Sequence, residues 1–244
     1  MKARLIFVQI VLLLITSGAV SCQIDRNTAA TNETITEPFL SGELFSPDLP
    51  PDITTYFNRE WLSGDIRLTD GRIVRNKRIK YNGLFDELFW LEPESNLTIK
   101  LDKEGILQFH FLNYQGDTSI YFRKLKVKRD NFNDSIEIFG QELFHGNLSL
   151  YVIHSFYFKG TEIVPKNKKY ILKDIYIEEP VYYIKFLNNK VVGFKRFSRK
   201  NVYAFVPDKK EQIRKFLRES IPGKIKNNQE IIGLVQFLSS IVDQ

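Results

Sequence analysis

The sequence has little of the chemistry that builds covalent or metal-centred frameworks, since it contains one cysteine, one methionine and three histidines. A single cysteine excludes a disulfide framework and any zinc site built from several thiolates. The histidines show no metal-ligand spacing, and the chain has neither a glycine-rich phosphate loop nor the Gly-x-Ser-x-Gly turn of serine hydrolases. We therefore expect no metal, no cofactor and no catalytic constellation.

Aromatic residues, by contrast, are plentiful. Twenty Phe and 11 Tyr supply most of an aromatic content of 14%, which favours β-structure over a helical bundle. The hydrophobic fraction of 43% and the charged fraction of 26% are those of a globular protein, so collagen-like, coiled-coil and fully disordered chains are excluded. The formal net charge of +6 is a mild basic excess that points to no particular partner.

The first 21 residues predict a secretory signal peptide. Lys2 and Arg4 precede an apolar run from Leu5 to Ile15, which is too short to span a bilayer, and small residues follow it. The next residue is the single cysteine, and Ala19-Val20-Ser21-Cys22 resembles the bacterial lipobox, in which the thiol becomes a diacylglycerol thioether. The resemblance implies that Cys22 carries a lipid.

The alternative for this segment is ordinary cleavage after Ser21, which would leave Cys22 incidental. The position of the only cysteine in the chain favours lipidation. Lipidation would place the protein in the cell envelope, anchored in a membrane that we take to be the outer membrane, on its periplasmic or surface side.

Residues 22–53 predict a flexible tether, because they are rich in Thr, Asn and Pro and show no sustained apolar periodicity. The alternative is that Phe39-Leu40 or Leu44-Phe45 docks as an edge strand. We expect residues 54–244 to form a single β-rich domain.

Short runs of alternating apolar and polar residues separated by turns follow from Trp61 onward. Asp70-Gly71 is a strong hairpin signal, and short connections of this kind indicate antiparallel meanders. The predicted strands cover residues 65–69, 72–81, 87–91, 97–101, 106–112, 119–129, 148–158, 170–177, 181–187 and 190–197.

The last residues change to helical periodicity. Asp208 with Glu211 and Asn227 with Glu230 are capping-box pairs, and they predict helices over 208–220 and 228–242, joined at Pro222-Gly223. The predicted fold class is therefore α+β: a mainly antiparallel, twisted β-sheet meander of roughly eight to ten strands, with two C-terminal α-helices packed on it.

Two stretches resemble a group of uncharacterised exported proteins, of lipoprotein type, that are common in Bacteroidetes bacteria. The first is Trp61-x-x-Gly64-x-Ile66-x-Leu68-x-Asp70-Gly71, and the second is the helix that begins Asp208-Lys209-Lys210-Glu211 together with its partner helix. The resemblance covers most of the mature chain. It implies an exported, β-rich body and transfers no catalytic residue.

His154 and Trp61 are the candidate binding residues. In the predicted strand 148–158, His154 shares an apolar face with Leu150 and Val152. It is either a general base in an apolar pocket or, as we favour, a buried histidine bonded to a tyrosine or a backbone carbonyl. Trp61 is also explained by a place in the core. His110 falls on the polar side of its strand, and His145 lies in a predicted turn.

Basic residues crowd two strands, over 72–80 and 123–129. Nucleic acid is not an expected partner for an exported protein, and anionic lipid head groups suit these charges better. A solvated strand face, whose lysines discourage edge pairing, is the interpretation that we prefer.

Three functions remain open at this point. We favour a non-enzymatic envelope lipoprotein that serves as a binding or scaffold module, with a lipid or an envelope protein as partner. The first alternative is a lipid or lipoprotein carrier, whose apolar cavity would be lined by the aromatic strands and by helix residues 231–242. The second is an envelope hydrolase that uses scattered carboxylates or His154, which a two-carboxylate cleft or a His154–serine contact would support.

Overall fold

The structure, a computed structural model, describes residues 39–46, 55–114, 116, 118–128, 134–166, 169–225 and 227–242. All of them belong to the unit Glu37–Gln244. The predicted signal peptide and Cys22 lie outside the described residues.

Antiparallel strands make up 52% of the described residues, about twice the share in an average globular protein. The described residues also form three helices near the C-terminus, so the predicted α+β class is confirmed. The strands are β1 (Gly42–Leu44), β2 (Leu62–Leu68), β3 (Ile73–Asn82), β4 (Glu87–Leu91), β5 (Thr98–Leu101), β6 (Ile106–Tyr114), β7 (Thr118–Lys128), β8 (Ser135–Phe144), β9 (Leu148–Ile153), β10 (Phe156–Lys166), β11 (Lys169–Glu178), β12 (Val181–Phe186) and β13 (Val191–Phe194). The helices are α1 (Arg199–Phe205), α2 (Lys210–Ser220) and α3 (Asn228–Val242).

In the described part of the chain, eleven strands form one sheet in the order β1-β5-β4-β3-β2-β6-β7-β8-β9-β12-β13. Two series of neighbouring strands run outward from β2. One passes through β3, β4 and β5 to β1, and the other passes through β6, β7, β8, β9 and β12 to β13. Strands β10 and β11 leave this sheet between β9 and β12 and pair with each other as a separate two-stranded sheet, which we call the arm.

One side of the sheet encloses an aromatic core. Phe109, Phe122 and Phe139 are at most 1% exposed, and the rings of Phe109 and Phe122 stack with centroids 4.8 Å apart. Leu88 of β4 belongs to the same cluster as Phe139 of β8, although four strands lie between β4 and β8 in the sheet. The sheet must therefore curl strongly, so that β4 and β8 approach each other across the core.

Asp86, in the turn between β3 and β4, holds this curl. Its Oδ1 accepts hydrogen bonds from the Tyr81 hydroxyl at 2.7 Å and from the Phe139 backbone N–H of β8 at 3.0 Å. Its Oδ2 accepts from the ammonium of Lys103, which also donates to the Glu137 carbonyl at 2.6 Å. We call these contacts the Asp86 bridge.

The helices cover a second core, which is separate from the aromatic one. Leu234, Val235 and Leu238 of α3 are fully buried, and α3 packs on β8 and β9. Phe216 of α2 stacks on Phe237 with ring centroids 4.3 Å apart. The carrier hypothesis expected the aromatic strands and the C-terminal helix to line a common interior. They belong instead to two separate cores.

The tether predicted over residues 22–53 is wrong for residues 39–46. Strand β1 pairs with β5, and Leu40 is buried at 6% exposure. The alternative of a docked edge strand holds here, because an apolar side chain next to an open sheet edge gains both burial and backbone hydrogen bonds. Residues 22–38 and 47–53 lie outside the described part.

The strand predictions fail where pairing depends on distant residues. Strand β8 was not predicted, and the predicted strand 148–158 is broken at His154-Ser155, where the chain leaves the main sheet for the arm. A bulge opposite Arg67 and Leu68 places Ile106 in the core and leaves Leu107 43% exposed, although strict alternation along the strand would place Leu107 on the same face as Phe109.

The two helices predicted over 208–220 and 228–242 are present, but a third was missed. Helix α1 is capped by Ser198, whose side chain accepts from the Asn201 N–H. The capping pair at Asp208 is wrong, because a 3₁₀ turn over Pro207–Lys209 precedes α2 and no side chain caps that helix. The second cap is confirmed, since Asn227 accepts from the Glu230 N–H at 2.9 Å.

Burial of α3 predicts that its apolar face is essential for stability. Leu238→Ala removes a fully buried side chain and should cost about 2–5 kcal/mol of the free energy of unfolding. Val242→Ala on the same helix, where the side chain is 41% exposed, should cost less than about 1 kcal/mol. Urea denaturation measures both, and equal losses for the two variants would contradict the packing of α3.

Candidate functional site

His154 lies at the root of the arm, between β9 and β10. Its Nδ1 is 2.6 Å from Oε1 of Glu178, the last residue of β11, and its Nε2 is 2.9 Å from Oε1 of Gln141 on β8. The expected tyrosine or backbone partner is therefore wrong, because the break at His154-Ser155 turns the ring toward two polar side chains. The histidine connects both ends of the arm to the main sheet.

The His154 ring also packs on the aromatic core. Its centroid is 5.2 Å from that of Phe57, in edge-to-face geometry, and 6.1 Å from that of Phe122. A Cβ on Gly83 would lie 2.8 Å from the His154 carbonyl oxygen, so this position in the β3–β4 turn requires glycine. With both ring nitrogens hydrogen-bonded and its faces packed, His154 has the features of an anchor and not of a general base.

The arm presents an exposed apolar surface. Residues two apart on a strand share a face, and in the β10–β11 register Phe158 faces Tyr176, Ile163 faces Leu172, and Pro165 faces Tyr170. The side chains on this face that are largely exposed are Phe158 (55%), Ile163 (68%), Leu172 (69%) and Tyr170 (79%), and we call them the apolar stripe.

A polar pair interrupts the apolar stripe. The Thr161 hydroxyl donates to Asp174 at 3.0 Å across the two strands, between the Phe158 and Ile163 positions. Within the described residues, β10 pairs with β11 alone, so each strand has one edge whose backbone groups face outward. The arm therefore offers an apolar face, a central carboxylate and open strand edges.

Trp61 belongs to a different cluster. The Lys80 ammonium lies 5.8 Å from the centroid of the Trp61 ring and 4.6 Å from that of Tyr56, and it donates to the Arg59 carbonyl at 2.6 Å. Burial lowers the pKa of Lys80, while the charge of Glu60 opposes this shift. The structure thus makes partly exposed Trp61 part of a cation–π cluster and does not group it with His154.

Carboxylates do line one cleft, of about 480 Å³, as the hydrolase hypothesis requires. Burial raises the pKa of Asp86 there, which is a property of general acids, but both of its oxygens are occupied by the Asp86 bridge. Glu43 and Glu87 share the ammonium of Lys100, at 2.5 and 3.6 Å. The carboxylates of this cleft are therefore engaged in ion pairs and hydrogen bonds that stabilise the fold.

A second cluster brings together a serine, a histidine and a carboxylate. The Nδ1 of His145 is 2.7 Å from Oε1 of Glu142 and 3.5 Å from the Ser149 hydroxyl. A proton relay needs the carboxylate and the serine on opposite ring nitrogens, and here both approach the same one. The cluster therefore lacks the geometry of a nucleophilic triad.

The described residues contain no group of three or more His, Cys, Asp or Glu side chains that could hold a metal ion. None of the helices in that part of the chain is long and apolar enough to cross a membrane.

Comparison with models of protein families, with curated proteins and with solved structures found no match for the chain. The resemblance to exported Bacteroidetes proteins stays a prediction.

Sequence reasoning missed Gln141, Glu178 and the apolar stripe. Gln141 and Glu178 are 13 and 24 residues from His154, and no local pattern links them to it. The stripe had a readable signal in the alternation of Tyr170, Leu172, Asp174 and Tyr176. Which face of a strand is exposed depends on the sheet to which the strand belongs, and the break at His154-Ser155 was not visible.

The Glu178–His154 contact should make the root of the arm sensitive to pH. The hydrogen bond from His154 lowers the pKa of Glu178 below its ordinary value of 4.5. A lowered folded-state pKa stabilises the fold above the pKa of the unfolded chain, and this stabilisation is lost as the pH falls below 4.5 through the folded value. Glu178→Gln should therefore speed amide hydrogen exchange at the arm root at about pH 6, with the difference from wild type narrowing below pH 4.5.

Glu162→Gln is the matched control, because Glu162 lies on the face of the arm opposite to that of Glu178. Its amide hydrogens at the arm root should exchange at the wild-type rate. A Glu178→Gln variant whose difference from wild type is the same at every pH would contradict the contact.

Proposed function

We propose that the chain is a non-enzymatic module of the cell envelope, held at a membrane by lipid on Cys22, that binds another envelope protein through the arm. The observation that carries the proposal is the apolar stripe, whose four side chains are 55–79% exposed. Scattered exposed apolar residues are ordinary, but a contiguous set on one face is typical of an interaction surface.

The composition of the arm supports a protein partner over a lipid one. Asp174 lies within the stripe, and a carboxylate is costly to place in hydrocarbon. The open edges of a two-stranded sheet would also leave backbone groups unsatisfied in a bilayer. A partner protein can satisfy both, because it can add a strand to an edge and offer a donor to the carboxylate.

The carrier alternative has less support than the binding module. It needs an apolar space under the curved sheet, and the rings of Tyr81, Phe109, Phe122 and Phe139 occupy that side in mutual contact at centroid distances of 4.8–6.3 Å. The helices, which were expected to complete the cavity, cover the separate second core.

Site-specific photo-crosslinking in the cells that make the protein tests the proposal. A photoreactive residue at Ile163, on the stripe, should give one discrete protein adduct. The same residue at Glu162, adjacent in sequence and on the opposite face, should give none. In a Cys22→Ala background the Ile163 adduct should be lost, because the anchor would no longer hold the arm beside its partner.

The outcomes separate the possible functions. A protein adduct at Ile163 that depends on Cys22 supports the proposal. An adduct with lipid alone would favour membrane contact or the carrier, and no adduct at Ile163, or equal adducts at both positions, would overturn the arm as a binding surface.

A further inference from the structure

A cavity of about 430 Å³ opens on the face of the sheet opposite the helices. Side chains alternate along β9, so Leu148 and Leu150 contact the helices while Ser149 and Tyr151 point into the cavity. Lys185 of β12 lies directly opposite Ser149 in register and joins the same face. The turns that follow β8 and β12 complete the rim. The volume suits a small molecule.

The charge of the lining is positive. Arg123 and Lys185 line the cavity, and none of its described lining residues is acidic. The nearest carboxylate, Glu142, is 7% exposed, and both of its oxygens are engaged: one with Arg123 at 2.5 Å and the other with His145 at 2.7 Å. None of the ion pairs among the described residues involves Lys185, so its charge is left for a ligand.

The other lining groups are hydrogen-bonding side chains. They are Ser149, Tyr151 and Asn189, which line the cavity. Burial and the nearby Glu142 carboxylate raise the pKa of Tyr151, so its hydroxyl keeps its proton. Leu187, which is 72% exposed, forms an apolar rim beside them.

Arg123 is held in a fixed orientation. Its Nε donates to Glu142 and its Nη1 donates to Gln108 at 3.0 Å, which locks the guanidinium plane at one side of the cavity. A fixed guanidinium and a free ammonium from two different strands can converge on a single anionic group.

We propose that this cavity binds a small anion that carries several hydroxyl groups, the chemistry of an acidic sugar. Lys185 and Arg123 take the negative charge, which is a carboxylate or a phosphate. Ser149, Tyr151 and Asn189 bind the hydroxyls, and Leu187 contacts the apolar face of the ring.

Calorimetric titration of the purified full-length chain tests the proposal with four probes: glucuronate, glucose 6-phosphate, inorganic phosphate and glucose. At least one of the two charged sugars should bind about tenfold or more tightly than glucose, because a charge-assisted contact is lost without the anion. Whether glucuronate or glucose 6-phosphate binds better identifies the anionic group. Lys185→Gln should weaken the better probe about tenfold, whereas Lys185→Arg should preserve binding.

Lys126→Gln, which removes an exposed lysine from β7, is the matched control and should bind like wild type. Unchanged urea midpoints show that the variants fold. Equal affinity for glucose and the charged sugars, inorganic phosphate as tight as glucose 6-phosphate, full binding by Lys185→Gln, or no binding of any probe would overturn the proposal.

Discussion

The curled sheet depends on one buried carboxylate. Asp86 is 8% exposed, and its burial raises its pKa, while the hydrogen bonds from Lys103 and Tyr81 oppose that rise. Isolated, such a group would destabilise the fold, but here a cation, a hydroxyl and a backbone N–H all point at its two oxygens. Burial and the neighbouring carboxylate also keep the pKa of Tyr81 well above its ordinary value of 10.0, so the phenol stays a donor. The bridge joins the β3–β4 turn to β8 where the sheet has no strand pairing to do so.

Closure on that side determines where binding can occur. The aromatic core fills the enclosed side, and the helices cover the next part of the sheet. Two of the surfaces that remain are the arm, which leaves the sheet at His154, and the cavity lined by Lys185. The arm follows β9, and the cavity is lined from β7, β9 and β12, which are strands whose positions follow from the closure that Asp86 provides. An interaction protein with a rigid, packed body and projecting surfaces is consistent with this arrangement.

Local signals predicted the local parts of this fold. Asp70-Gly71 forms the β2–β3 hairpin with Gly71 at φ +90°, strand β4 covers the predicted residues 87–91, and α3 begins after the predicted cap at Asn227. Each of these depends on residues that are adjacent in sequence, where turn chemistry and periodicity decide the outcome. Helix α1 was not predicted. It begins after a capping residue, Ser198, but the strand predicted over 190–197 ends directly before this serine, and the capping signal was therefore missed.

The candidate sites could not be predicted, because they depend on long-range contacts. Asp86 is 53 residues from Phe139, and its place between the predicted strands 72–81 and 87–91 gave no sign of burial. His154 was identified as a candidate residue, but the prediction of its hydrogen-bond partners was wrong, because the break after β9 changes the direction in which its ring points. Lys185 lay in an ordinary predicted strand, and its position opposite Ser149 follows from strand order alone.

The central claim is that the Asp86 bridge closes the sheet, and comparison of two substitutions at this position tests it most directly. Asp86→Ala removes both carboxylate oxygens, which deprives Lys103 of its counter-ion, the Tyr81 hydroxyl of its shorter hydrogen bond and the Phe139 N–H of its acceptor, so it should cost about 3–5 kcal/mol in urea denaturation. Asp86→Asn keeps an acceptor for Tyr81 and Phe139, and asparagine tolerates the positive φ of +56° at this position, so it should cost about 1 kcal/mol. Losses below about 0.5 kcal/mol for both variants, as for an ordinary surface turn, would contradict the account.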